Sequence, residues 1–306
     1  MRRALGLLAV LALVVAGCGG GGDDDTSTAA DVLPSKGPPI RIGAKNFTEQ
    51  GILGEVYRQA LEAKGFDVVL KADVGSTEII HRALRRGALD MYPEYVGVLL
   101  SEVADERARP RSAAAAYDVA KAFEKRSGFT LLAQSPGSDS NALGVKPEFA
   151  KQRGLKAIAD LRKLKGSVRI AALPEFRTRY EGLDGLRAVY KLRNLRVVPA
   201  ESGGRYEALE NGSADVASVF TTEGQLAGDA YLVLADPLRL FASGHVAPII
   251  DDEVLAAHGP QLQAAIDTVT GTLTTAAMRE MNAAVDLDKR APAAVARMFL
   301  SSAGLG

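Results

Sequence analysis

Two short stretches of this chain repeat each other at a fixed distance, and the repeat limits what the chain can fold into. Ala83-Leu84, Gly87 and Asp90 recur as Ala208-Leu209, Gly212 and Asp215, each 125 residues later. Both copies read as an amphipathic helix, a glycine stop and a strand that opens with aspartate. Two such units predict an α/β protein of two lobes that face each other. Ligands of open α/β sheets bind beyond the carboxyl ends of strands, so the residues after each repeated strand draw attention. The first strand region, Leu89 to Gly97, sets Tyr92 and Tyr95 among Asp90 and Glu94, around a proline, Pro93, expected to stop a regular strand. After the second copy comes Val219-Phe220-Thr221-Thr222-Glu223. Rings beside acids, where only 6% of residues are aromatic, point to a pocket for a cation. The plainer alternative is a strand end carrying two half-buried tyrosines.

The 37 basic and 37 acidic residues cancel, which gives no basic field for a nucleic acid partner. The single cysteine lies at a telling place. Met1-Arg2-Arg3 is a charged start, and Ala4 to Ala16 is an apolar run too short for a membrane span of about 20 residues. It ends Val15-Ala16-Gly17-Cys18, which resembles the lipobox of bacterial lipoproteins. The expectation is a signal peptide over 1–17, acylation of Cys18, and a flexible Gly/Asp/Ser/Thr/Pro tether over 18–39. The protein would then stand outside the cytoplasm, anchored by lipid.

The body begins with a short strand at Ile40 to Ala44. A helix follows, with Ile52, Leu53, Val56, Tyr57, Ala60 and Leu61 on one face. Gly75-Ser76-Thr77 opens the next helix, where Ser76 or Thr77 suits an N-cap and the exposed amides suit a carboxylate. A crossing is placed near Thr130 to Ser135 and a return at Val246 to Ile250. Lobe 1 is thus 40–133 and 246–306, and lobe 2 is 134–245. Leu183 to Leu192 reads as a helix, and the tail from Asp252 to Leu300 as helical throughout. A chain that crosses twice between lobes can close by hinge motion around a ligand.

No GxSxG, CxxC, HExxH or P-loop sequence occurs, and His81, His245 and His258 are far apart. No catalytic residue, metal or cofactor is expected.

Lys45-Asn46-Phe47-Thr48-Glu49-Gln50, Gly75-Ser76-Thr77 and Tyr92-Pro93-Glu94-Tyr95-Val96-Gly97 resemble the substrate-binding proteins of osmoprotectant ABC importers. These are quaternary-amine binders of the glycine betaine, carnitine and choline type. The similarity continues through Glu175-Phe176, Arg179, Arg205-Tyr206-Glu207-Ala208-Leu209, Thr221-Thr222-Glu223, Ala247-Pro248 and Met278 to Val285. It implies a two-lobed, periplasmic-binding-protein-like (type II) fold with the ligand cleft between the lobes. The implied partners are a permease with its ATPase, and a monomer is expected. A quaternary ammonium has no N–H to donate, so ring faces are its natural partners, and a carboxylate needs arginine or helix N-terminal amides. The residues expected to meet the ligand are Asn46, Thr48, Ser76, Thr77, Tyr92, Tyr95, Asn141, Arg179, Phe220, Thr221, Thr222 and His245. The chain departs from the family pattern in three places: Asn141 and Phe220 stand where tyrosine is common, and Phe241-Ala242-Ser243-Gly244 replaces a Phe-Pro-Pro-Tyr run. His245 is expected to fill space left by Gly244. A thinner cage suits a simple betaine less well and leaves room for a larger zwitterion such as ergothioneine. The competing readings are a ligand sensor with the same closing motion and an envelope enzyme.

Overall fold

The structure is a computed structural model that describes residues 37–104, 110, 112–200, 204–241 and 243–306. The expected signal peptide, Cys18 and nearly all of the tether lie outside the described residues. Leu33–Gly306 forms one compact unit.

Two five-stranded sheets organise that unit. The first is built by β1 (Ile40–Gly43), β2 (Val68–Lys71), β3 (Met91–Tyr95), β4 (Phe129–Leu131) and β10 (Val246–Asp251), in the order β2-β1-β3-β10-β4. The second holds β5 (Asn141–Val145), β6 (Val168–Ala172), β7 (Leu195–Pro199), β8 (Val216–Phe220) and β9 (Leu232–Val233), in the order β7-β6-β8-β5-β9. The plans match strand for strand. In each, the first three strands are parallel, and an antiparallel strand, β10 or β5, is the one that enters from the other lobe.

The helices are α1 (Thr48–Ala63), α2 (Thr77–Arg85), α3 (Val96–Val98), α4 (Ala113–Lys125), α5 (Pro147–Arg153), α6 (Gly185–Ala188), α7 (Gly204–Glu210), α8 (Asp252–His258), α9 (Pro260–Thr270), α10 (Thr275–Asp286) and α11 (Pro292–Ser302). Helix α1 buries the face its periodicity predicts and packs on α9, α10 and α11. The Tyr57 hydroxyl lies 2.8 Å from Thr270 Oγ1, which satisfies both buried groups.

The repeated motif has a structural cause. Asp90 Oδ2 accepts the Arg41 amide at 2.7 Å and Nε at 2.8 Å, while Asp90 N donates to Arg41 O at 2.9 Å. In the second lobe Asp215 Oδ2 accepts the Arg169 amide at 2.9 Å and Nε at 3.1 Å, and Asp215 N donates to Arg169 O at 2.9 Å. Each aspartate clasps its strand to the parallel neighbour. The glycines before them, Gly87 (φ +65°) and Gly212 (φ +71°), take the left-handed turn that ends the helix.

Several expectations are corrected. Pro93 does not stop the strand. It lies within β3, directly opposite Pro248 of β10. Neither residue has an N–H, so this is a pair across which no hydrogen bond is exchanged, and the ladder runs on past it. Phe129–Leu131 is a strand of the first sheet, so the crossing starts beyond it. The tail is four helices, interrupted at Gly259 and within 271–274 and 287–291. Leu183 to Leu192 holds only the short α6 as α-helix, after an irregular turn over Tyr180–Asp184.

The two crossings run side by side. Asp139 N donates to Gly244 O at 2.9 Å, and Gly244 N meets Ser138 Oγ at 3.1 Å. A Cβ on Gly244 would stand 1.4 Å from Asp139 O, so this approach requires glycine. The space expected beside Gly244 is therefore filled by backbone. His245 turns instead to the crossing itself, with Nδ1 2.8 Å from Ser135 O and 2.9 Å from Gly137 O. Those two acceptors assign the proton to Nδ1.

Candidate functional site

Alternation along β3 separates the two tyrosines. Met91 and Tyr95 join the core around α1, whereas Tyr92 joins the core of Ile80, Leu84, Leu89 and Phe129 on the other face. Tyr92 has no exposed surface, and its hydroxyl lies 3.2 Å from His81 Nδ1. Behind that pair sits Glu124 of α4, fully buried, with neither carboxyl oxygen hydrogen-bonded and Oε1 3.9 Å from His81 Nδ1. Burial pushes the Glu124 carboxyl up to about 7 and the His81 imidazole down to about 4.

Tyr95 lies at the junction of the lobes. Its hydroxyl donates to Glu49 Oε1 at 2.7 Å. Asn282 of α10 donates Nδ2 both to Glu49 Oε2 at 2.6 Å and to Thr222 O at 2.8 Å. A hydrogen-bonded path thus runs from β3 through α1 and α10 to the loop after β8. Arg279 Nε adds a second tie to that loop, at 2.6 Å from Thr221 O. Burial raises the Glu49 carboxyl, opposed by hydrogen bonds from Thr222, Tyr95 and Asn282. Asp139 on the crossing is also pushed up, by burial first and the Glu49 charge second, and its Oδ1 is buried without a partner.

Around Tyr95 lie a ring and a cation. Phe47 precedes α1 and is 45% exposed, with its ring stacked on Tyr95 at 6.2 Å between centroids. Lys45 is buried, with Nζ 4.6 Å from the Tyr95 centroid and 3.1 Å from Thr77 Oγ1. Ser76 stands at the N-cap position of α2 but caps nothing. Its hydroxyl donates to Glu78 Oε2 at 2.5 Å, since that carboxylate is a stronger acceptor close at hand. Glu78 is held below its ordinary range by the Ser76 hydroxyl and its own amide, with smaller help from Arg179 and Lys45. Arg179 itself is exposed, on the second lobe.

The second lobe contributes the ends of β5 and β8. Asn141 lies opposite Phe220 in that ladder and donates Nδ2 to Glu181 at 2.9 Å. Phe220 is half-buried, with the Arg205 guanidinium 5.7 Å from its centroid. Thr221 Oγ1 donates to Ser138 O and accepts from Ser140 N, both at 2.9 Å, so it fastens the crossing. Thr48 Oγ1 donates to Asp286 at 2.8 Å, and Asn46 is exposed. The structure thus gathers Tyr95, Thr77 and Thr222 with Phe220, Thr221 and Asn141 about the junction, and sets Tyr92 in a core.

Residues 38–302 match the substrate-binding domain of ABC-type glycine betaine transport systems. The chain belongs to this family. A glycine-betaine-binding protein of Pseudomonas aeruginosa is 31% identical over 274 residues, which cover 85% of this chain and 86% of that protein. The carnitine transport binding protein OpuCC of Listeria monocytogenes is 29% identical, covering 85% of each. A crystal structure titled as a glycine betaine/carnitine/choline ABC transporter superposes with a TM-score of 0.79 at 26% identity, covering 87% of this chain and 99% of the other. Members of this glycine betaine transport family are extracytoplasmic and work with the other components of an ABC importer. Among the described residues, no helix is long and apolar enough to cross a membrane.

Lys45, Phe47 and Glu49, which surround Tyr95, were not among the residues expected to meet a ligand. An aromatic side chain just before a helix start was the available signal for Phe47. Lys45 acquires meaning only when β1 and β3 are neighbours, and Glu49 only when α1 meets β3 and α10.

Proposed function

We propose that this protein captures a quaternary amine of the betaine type between its lobes and delivers it to its permease and ATPase. The observation that carries the reading is the junction itself. An exposed ring, Phe47, stacks on Tyr95, which is tied through Glu49 and Asn282 to the loop after Phe220. Phe47, Tyr95 and Phe220 are the ring faces proposed for the trimethylammonium group, each worth roughly 0.5–2 kcal/mol. The Thr77 hydroxyl, the start of α2 and Arg179 are proposed to meet a carboxylate. Asn141 is proposed to border this space from the second lobe, with His245 holding the crossing in place. Tyr92 supports it from within the core. Anchoring through an acylated Cys18, a monomeric state and the absence of catalysis belong to the same proposal.

The test is a thermal-shift screen of Leu33–Gly306 with glycine betaine, carnitine, choline, proline betaine and ergothioneine, with amino acids and sugars as controls. Binding to the native state raises Tm by mass action. A Tm that climbs with glycine betaine or carnitine concentration is expected, and Phe47→Ala should weaken that binding three- to tenfold. A response to ergothioneine alone would move the ligand to that compound. No response to any quaternary amine would overturn the proposal.

A further inference from the structure

Lys45 and Glu94 form a buried ion pair beside the proposed site. Their side chains are 4% and 1% exposed, and the ammonium sits 2.5 Å from Glu94 Oε1. The same oxygen accepts the Tyr95 amide at 2.6 Å, while Oε2 has no hydrogen-bond partner. Glu94 is therefore fixed by the backbone of its neighbour, and Lys45 is bound to it directly under the Tyr95 ring. A buried cation matched in this way adds little net charge to the wall of the cleft. The same cation unmatched would attract a carboxylate and repel a trimethylammonium through poorly screened space. At the corresponding place in β8 the second lobe has Val219, which is buried and uncharged.

We infer that Glu94 is a specificity-determining residue: by neutralising Lys45 it keeps the inner end of the cleft free of net charge. Ligands with and without a carboxylate then compete on their contacts with rings and hydroxyls, and net charge does not decide between them. Glu94 acts through Lys45 and does not itself touch the ligand. The inference rests on the betaine-type reading above and names what sets its charge preference.

Calorimetric titration of glycine betaine and of choline into the intact chain tests it, with Glu94→Gln, Glu94→Asp and the double variant Lys45→Met/Glu94→Gln. The ratio of the choline Kd to the glycine betaine Kd should rise at least tenfold in Glu94→Gln, because the bare ammonium penalises the ligand without a carboxylate. Glu94→Asp keeps the charge and should hold the ratio within threefold of wild type. The double variant removes both charges and should do the same, and it decides the matter if the single variant does not fold. Equal weakening of both ligands in Glu94→Gln, or a tenfold change of ratio in the double variant, would overturn the inference. Wild-type protein that binds neither ligand would overturn the underlying reading and the inference with it, whereas normal wild-type binding with an unmoved ratio removes the inference alone.

Discussion

The two lobes share a frame and differ in what they bury. Both close their parallel strands with an aspartate clasped to an arginine. At corresponding places, however, β3 of the first lobe carries Tyr92 and Glu94 where β8 of the second carries Ala217 and Val219, all of them buried. The first lobe also hides His81 and an unpartnered Glu124 behind Tyr92. Buried polar groups without partners cost stability. The clasp and the strand order are thus what folding needs, and the polar groups of lobe 1 are an addition to them.

The comparison is broken most severely at Tyr92. Tyr92→Ala should cost about 3–5 kcal/mol in urea unfolding, since a fully buried aromatic leaves a cavity. If Tyr92 were instead a ring presented to the ligand, its loss would weaken binding and leave stability nearly unchanged.

The clasps come next. Asp90 is 8% exposed and Asp215 is 21% exposed. Asp90→Ala should therefore cost more, about 3 kcal/mol against about 1–2 kcal/mol for Asp215→Ala, each by denaturant titration. Equal losses would show that burial does not distinguish the two clasps.

The smallest effect is in pH dependence. Burial lifts Glu124 to about 7, with the Arg85 charge opposing and Glu94 adding. The folded state holds that proton more tightly than the unfolded chain does. Its stabilisation is complete below the ordinary value of 4.5 and is lost as pH rises through about 7. His81 has the opposite sign: held down at about 4, it stabilises above 6.5, and that contribution is lost as pH falls through 4. Between pH 5 and pH 8.5 the Glu124 loss and the His81 gain oppose each other, so the readout is the stability difference between wild type and Glu124→Gln, which should shift in favour of the variant by on the order of 2 kcal/mol as pH rises across that range. A difference between wild type and variant that stays constant with pH would contradict this account of Glu124.

Much of the frame was legible in the sequence. Asp90 and Asp215 stood out because each lobe needs the same clasp at the same place after its helix. The apolar face of α1 was legible because helical periodicity is local. Pro93 misled because its partner, Pro248, is far away in sequence, and only the pairing shows that no N–H is needed there. The site was harder to read. The three-residue spacing of Tyr92 and Tyr95 already puts them on opposite faces of a strand, a signal that the resemblance obscured. Lys45 and Glu94 meet because β1 and β3 are neighbours, and Gly244 is required by a crossing that no local pattern reports.

The central claim is that these two similar lobes close on a betaine-type ligand. Cys18 is the only cysteine of the chain, so residues 33–306 can be labelled cleanly at Arg86→Cys and Arg196→Cys, exposed positions just after α2 and on β7. Pulsed-EPR distances between spin labels there should become shorter and more narrowly distributed when glycine betaine is added. An unchanged distribution, in a sample whose Tm shows that glycine betaine is bound, would contradict capture by closure of the lobes.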